Sequence, residues 1–199
     1  MARVKKEPDA RREQILAATL ELITERGING VRASDVAGRL SVSPGLVFYH
    51  FDTLEKLIVS AFRSATERDL AKLETLLTTR DGTMTERLHV ALQEYGPTGA
   101  APSWQLWIEG WSASLRNPEL RAVIRTLDNR WRAVITDLVA LGVASGEFTT
   151  SDPRGVAWRL TAMLDGLAVQ RVAFDEAISG TDVANWTRSA IASELGVKP

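Results

Sequence analysis

The chain has 199 residues, 45% hydrophobic and 25% charged, with a formal net charge of −1. That length and balance suit one or two soluble globular domains with a sizeable core. With no cysteine, disulfides and thiolate metal ligands are excluded, and with only His50 and His89 a histidine-rich metal site is not expected.

The N-terminus is polar, without an apolar signal core, and no run approaches the roughly 18 apolar residues of a membrane span. A cytoplasmic protein without a membrane partner is the expectation. Near-neutral charge does not favour nucleic-acid binding through bulk charge. The start of the chain is more lopsided, with Arg3, Lys5, Lys6, Arg11 and Arg12 against Glu7 and Asp9.

Helices are expected almost throughout. Ile15, Leu16, Thr19, Leu20, Leu22 and Ile23 recur at helical spacing until Gly27 stops the first helix. A short second helix is expected over 35–40. Ser43-Pro44 starts a third, with serine as N-cap and proline where its missing N–H costs nothing. Asp52, with Glu55 three residues on, predicts a capping box for a fourth helix running to about Thr78.

Asp81-Gly82 breaks the chain, and Thr83 with Glu86 predicts the next capping box. That helix ends at Gly96-Pro97, and 96–103 (GPTGAAPS) reads as the clearest loop. Ser103 opens a Trp-rich helix, Asn117-Pro118 a long one to about Ala144, and Asp152-Pro153 one to about Ile178. A last helix spans roughly 182–195. The fold class is therefore all-α with about nine helices: a three-helix helix-turn-helix domain, 1–56, and a larger helical ligand-binding and dimerisation domain, 57–199.

Within Val31–Phe51, Val36, Ala37, Leu40, Val42, Val47 and Phe51 are spaced to pack two short helices over the first. Ser43, Pro44, Gly45 and Leu46 occupy the leading turn of the second of these, the part that enters a major groove. Phe48, Tyr49 and His50 lie further along, placed for sugars and phosphates. Lys56 stands on the next helix's first turn, while Arg32 and Ser34 are candidates for a phosphate at the second helix's start.

The segment VRASDVAGRLSVSPGLVFYHFDTLEKLI (31–58) resembles the DNA-binding segment of the TetR-type (tetracycline-repressor-like) transcriptional regulators. The resemblance covers about residues 10–60. Beyond it, helix lengths, Asn117-Pro118 and LDGLAVQ (164–170) are similar in style to the branch containing choline-responsive repressors. It implies a homodimer on a palindromic double-stranded operator, with a ligand-binding C-terminal domain and no cofactor. Three positions depart from the family pattern. Ser41 replaces a frequent glycine, so that turn is expected to find another backbone solution. Leu54 replaces a frequent lysine, putting a phosphate contact on Lys56, and Phe48 replaces a common tyrosine.

In the C-terminal region Trp104, Trp107 and Trp111 share one helix face, and Trp131 lies on the next helix. They are candidates to wall an effector pocket, with Glu109, Asp165, Gln170 and Arg171 as its polar groups. An aromatic wall near a carboxylate suits a cationic or flat aromatic ligand. Taken singly, each of these residues also reads as core or solvent-facing. Leu160, Met163, Leu164, Leu167 and Phe174, with Val183, Trp186, Ala190, Ile191 and Leu195, give two apolar helix faces for a four-helix dimer interface or for closing the monomer core.

The function expected is a ligand-responsive DNA-binding regulator, a repressor released by a small-molecule effector. One alternative is a helical effector-binding or interaction protein without DNA binding. The other is an enzyme, disfavoured because no nucleophile elbow, phosphate loop or metal spacing appears.

Overall fold

The computed structural model describes residues 8–79, 81–97, 102–174 and 178–197. Arg3, Lys5 and Lys6, and loop residues 98–101, lie outside the described residues. In chain order the elements are α1 (Pro8–Arg26), a 3-10 turn (Ile28–Gly30), α2 (Ala33–Arg39), α3 (Pro44–Phe51), α4 (Leu54–Thr79) and α5 (Met84–Tyr95). There follow α6 (Pro102–Ser114), α7 (Pro118–Ala144), α8 (Pro153–Ala173) and α9 (Gly180–Leu195). The fold is all-α, with no strand among the described residues.

Local chemistry sets most of the boundaries. The Ser43 hydroxyl accepts from the Leu46 N–H at the start of α3, with Pro44 at the first helical position. Thr83 and Glu86 form the expected capping box of α5, and Ser179 with Asp182 forms another at α9. Asn117 and Asp152 cap α7 and α8 through the N–H groups of Leu120 and Gly155.

Apart from shifts of one or two residues, such as α2 beginning at Ala33 and α9 at Gly180, two boundaries differ from expectation. Asp52 does not cap α4, because it takes a positive φ of 59° and closes the end of α3. Thr53 caps α4 instead, its hydroxyl accepting from the Lys56 N–H at 3.2 Å. The eighth helix stops at Ala173, short of the predicted Ile178.

The turn after α2 keeps its usual hydrogen bonds around an unusual residue. Ser41 itself adopts the left-handed conformation, at φ 53°. The Val42 N–H reaches the Ala37 carbonyl at 2.9 Å and the Ser41 N–H the Gly38 carbonyl at 3.1 Å. This is the Schellman arrangement, in which glycine usually occupies the Ser41 position. The turn geometry is the ordinary one, held by a residue whose Cβ makes it costlier.

The chain divides into two compact units. One comprises 1–67 and 105–124, the other 68–104 and 125–199. Helices α4, α6 and α7 each cross the division along their own length.

In the first unit Ile15, Leu16, Leu22 and Ile23 of α1 are buried, as are Val36 and Ala37 of α2, Val47 and Phe51 of α3, and Leu57 and Phe62 of α4. Each large apolar side chain so buried contributes about 1.5–3 kcal/mol. Gly110 of α6 permits a close approach here, since a Cβ on it would come within 2.6 Å of the Phe62 ring.

In the second unit Leu88 and Leu92, Trp131 and Ile135, Leu160 and Leu164, and Val183, Ile191 and Leu195 supply the buried set. Five apolar residues assigned by pattern to α8 and α9 (Leu160, Leu164, Val183, Ile191 and Leu195) are thus core of the subunit, whereas Phe174 and Trp186 are exposed.

Candidate functional site

Two places concentrate chemistry, one in each unit. The first is the outer face of α3. Val47 and Phe51 point into the core, at 1% and 5% exposure, and anchor the helix. That leaves Tyr49 at 80% exposure and Phe48 at 42%, with Ser43, Pro44 and Gly45 exposed and Leu46 and His50 half-buried. A large aromatic so exposed, on a helix whose other face is locked down, is presented to something outside the monomer.

A Cβ added at Gly45 would meet nothing nearer than the Ser43 hydroxyl at 3.9 Å, so the open space there is on the outer side. The Tyr49 and His50 rings stack edge to face at 5.3 Å. Lys56 is exposed and its ammonium donates to Asp52 Oδ2 at 2.9 Å. The Asp52 carboxylate, by that hydrogen bond and by its charge, raises the Lys56 pKa.

Arg32 and Ser34 are both exposed at the start of α2, where Arg32 occupies the N-cap without a side-chain cap bond. Arg39 of α2 is held by Glu21 and Glu25 of α1, and Asp35 by Arg26. These exposed pairs orient α2 on α1 more than they stabilise it.

The second place is an aromatic–acid cluster. The Tyr95 ring meets Trp104 at 5.8 Å and Trp131 at 5.5 Å, both edge to face, and all three are buried. The Tyr95 hydroxyl donates to Asp165 Oδ1 at 2.6 Å. One turn apart on α7, the Arg132 guanidinium donates to Asp128 Oδ2 at 2.6 Å and its plane lies 3.7 Å over Trp158. Arg132 Nε is buried without a hydrogen-bond acceptor among the described residues.

Burial pushes the Asp165 carboxyl up to about 6, with the Asp128 charge adding to it. The Tyr95 hydrogen bond and the Arg132 charge pull the other way. Asp128 is raised by burial against the pull of Arg132, and Tyr95 is raised by burial and by the Asp165 charge. A buried ring of three aromatics beside two acids whose charge is penalised is an environment that a bound cation would relieve.

The family model for the tetR family of bacterial regulatory proteins matches residues 15–61. The model for the BetI-type transcriptional repressor C-terminal domain matches residues 84–196. The chain belongs to the TetR family of transcriptional regulators. It is 28% identical to the transcriptional regulator BetI of Burkholderia mallei over 193 residues, covering 94% of this chain and 85% of that protein. It is 29% identical to the regulator CymR of Pseudomonas putida over 161 residues, covering 79% and 77%. A regulator of Saccharomonospora viridis solved in complex with choline superposes at a TM-score of 0.87, with 25% identity, covering 94% of this chain and 98% of that one.

For this regulator the four expected tryptophans separate. Trp104 and Trp131 join the Tyr95–Asp165 cluster, while Trp107 packs edge to face on Phe62 at 5.1 Å and lies 6.1 Å from Trp111, in the other unit. Glu109 is also in that unit, its carboxylate accepting from the Ile28 N–H at 3.2 Å beside Gly27, which has a φ of 72°. Gln170 is exposed in the single chain.

Tyr95, Asp128, Arg132 and Trp158 were not nominated from sequence. A signal existed in LDNRWR (127–132): Asp128 and Arg132 fall on the same helical face as Trp131 and Ile135, which buries both charges together.

Proposed function

We propose that this TetR-family regulator is a homodimeric repressor that binds a palindromic operator and is released by a small organic cation. In this reading residues 1–56 form the DNA-binding domain and 57–199 carry effector binding and dimerisation. Ser43, Pro44, Gly45 and Leu46 meet base edges, Phe48, Tyr49, His50 and Lys56 meet sugars and phosphates, and Arg32 and Ser34 hold the backbone at α2. The observation that carries the DNA reading is Tyr49, 80% exposed on a helix anchored by Val47 and Phe51.

The effector site of this reading is the Tyr95–Trp104–Trp131 ring with Asp165 and Asp128. Cation–π attraction and an adjacent carboxylate are the recognition chemistry for a quaternary ammonium, and choline is the compound bound by the Saccharomonospora viridis relative. Exposed Phe174, just past α8, and Trp186 on α9 supply apolar surface for a second copy. Ligand binding favours the dimer state whose α3 helices no longer match successive grooves.

A gel shift with the DNA upstream of the protein's own gene tests the first half. A sequence-preferring complex at low salt that choline dissolves is the expected result, and the absence of any preferred sequence would end the regulator reading. Quenching of tryptophan fluorescence by choline, abolished in Trp104→Phe, tests the second half; quenching unchanged in that variant moves the effector elsewhere.

A further inference from the structure

Beside the C-terminal end of α3 lies a small cleft of about 230 Å³, of whose lining the DNA reading uses only His50 and Lys56. Lys56, Val59, Ser60 and Arg63 of α4 line it, at positions i, i+3, i+4 and i+7 along one helix face. Arg12 comes in from α1, its guanidinium 4.9 Å above the Phe51 ring, and His50 from the last turn of α3. Three helices therefore converge three permanent cations, an imidazole and a hydroxyl on one concavity. Arg63 is exposed and makes no ion pair among the described residues. A cation with a free donor fork at the edge of a concavity is set to receive an oxyanion.

The same cleft contains two acids. Asp52 holds Lys56, and Glu119, on the first turn of α7, also lines the cleft and acts on Lys56 through its charge. Arg12, Lys56 and Arg63 against Asp52 and Glu119 leave one net positive charge. Asp52 is in its place because the left-handed turn after α3 puts it there. Glu119 has no such backbone duty, since the cap of α7 is Asn117. A carboxylate among cations competes for them with an incoming oxyanion.

We propose that the cleft formed by Arg12, His50, Lys56 and Arg63 seats one phosphate group, that of the operator backbone, and that Glu119 competes with it from within. This rests on the DNA-binding reading above and deepens it. It carries the DNA-facing set past residue 56, to Arg63 and to an acid 68 residues beyond the end of the recognition helix. It also accounts for a DNA-binding protein of near-zero net charge: local cations are matched by acids that a phosphate displaces. The brake on affinity is electrostatic, so it weakens as salt screens it.

The test measures operator affinity by fluorescence anisotropy from 50 to 300 mM salt, with wild type, Arg63→Gln and Glu119→Gln. Both side chains are exposed, so neither change disturbs the core. In Arg63→Gln, affinity falls several-fold and the slope of log K against log salt drops by about two for the dimer, about one per protomer. Glu119→Gln raises affinity several-fold at 50 mM for operator and non-operator DNA alike, and that gain shrinks toward 300 mM.

An unchanged slope in Arg63→Gln overturns the proposal. Inorganic phosphate, titrated at constant ionic strength while the His50 imidazole resonances are followed by NMR, separates this outcome from a failure of the DNA reading. If wild type binds no DNA, phosphate shifts that vanish in Arg63→Gln still uphold an anion seat, one for free phosphate. No shifts in wild type would remove the seat as well.

Discussion

Tyr49 on α3 is 80% exposed, whereas Trp131 on α7 is 4% exposed, and each belongs to a candidate site. The α3 surface keeps its aromatics and charges in water, where each is worth little to the monomer and is available to a partner. The Tyr95 cluster buries three aromatics and two acids, so the same groups support the fold and have displaced pKa values. Substitutions at the first place should separate function from stability. At the second place they should not.

Trp131→Ala gives the largest effect. Removing so buried an indole should cost about 3–5 kcal/mol, read from denaturant unfolding, together with loss of effector-induced quenching. A loss below about 1 kcal/mol would mean that the cluster is loosely packed and that the contrast with α3 is overstated.

Asp165 comes next. Its carboxyl titrates near 6 in the folded chain against 3.8 in the reference state, so between those values the folded form binds more protons. Stability due to this group is therefore full below about pH 4 and declines as pH rises through 6, by about 2–3 kcal/mol. Asp165→Asn, which can still accept from Tyr95, should remove that decline. Relative to wild type it should gain about 2 kcal/mol between pH 4 and pH 7 while weakening quaternary-ammonium binding. Parallel pH profiles for the two proteins would show that the carboxyl is not desolvated.

On the exposed side, Tyr49→Ala should weaken operator binding about tenfold, or about 1.4 kcal/mol, and shift unfolding by less than about 0.5 kcal/mol. A stability loss as large as the affinity loss would show that Tyr49 supports the fold rather than waiting for a partner. Gly45→Ala has room for its Cβ and should change which operator sequence is preferred without weakening non-operator binding; a conserved preference measured by a randomised-site selection argues that this turn does not read bases. Ser41→Gly should be the smallest change, stabilising by about 1 kcal/mol because the left-handed position no longer carries a Cβ.

Much of the fold was legible from local chemistry. The Ser43-Pro44, Thr83–Glu86, Asn117-Pro118 and Asp152-Pro153 starts act through neighbouring residues alone and stand where expected. Asp52 was misread because two helices meet there: an aspartate three residues before a glutamate looks like a cap until the chain direction requires a positive φ at that residue. Helix periodicity also placed Trp104, Trp107 and Trp111 on one face, yet it carries no information about which neighbouring helix each side chain meets. Trp107 went to Phe62 and Trp104 to Tyr95.

The helical class, most helix starts and the helix-turn-helix pattern can be read from the chain alone, because each rests on contacts within a few residues or on one amphipathic face. Only tertiary structure decided that Tyr95 and Asp165, 70 residues apart, share a hydrogen bond, and that Arg12, Arg63 and Glu119 share one cleft. Desolvation and Coulomb energy depend on distances through space, and those distances are set once the helices have packed.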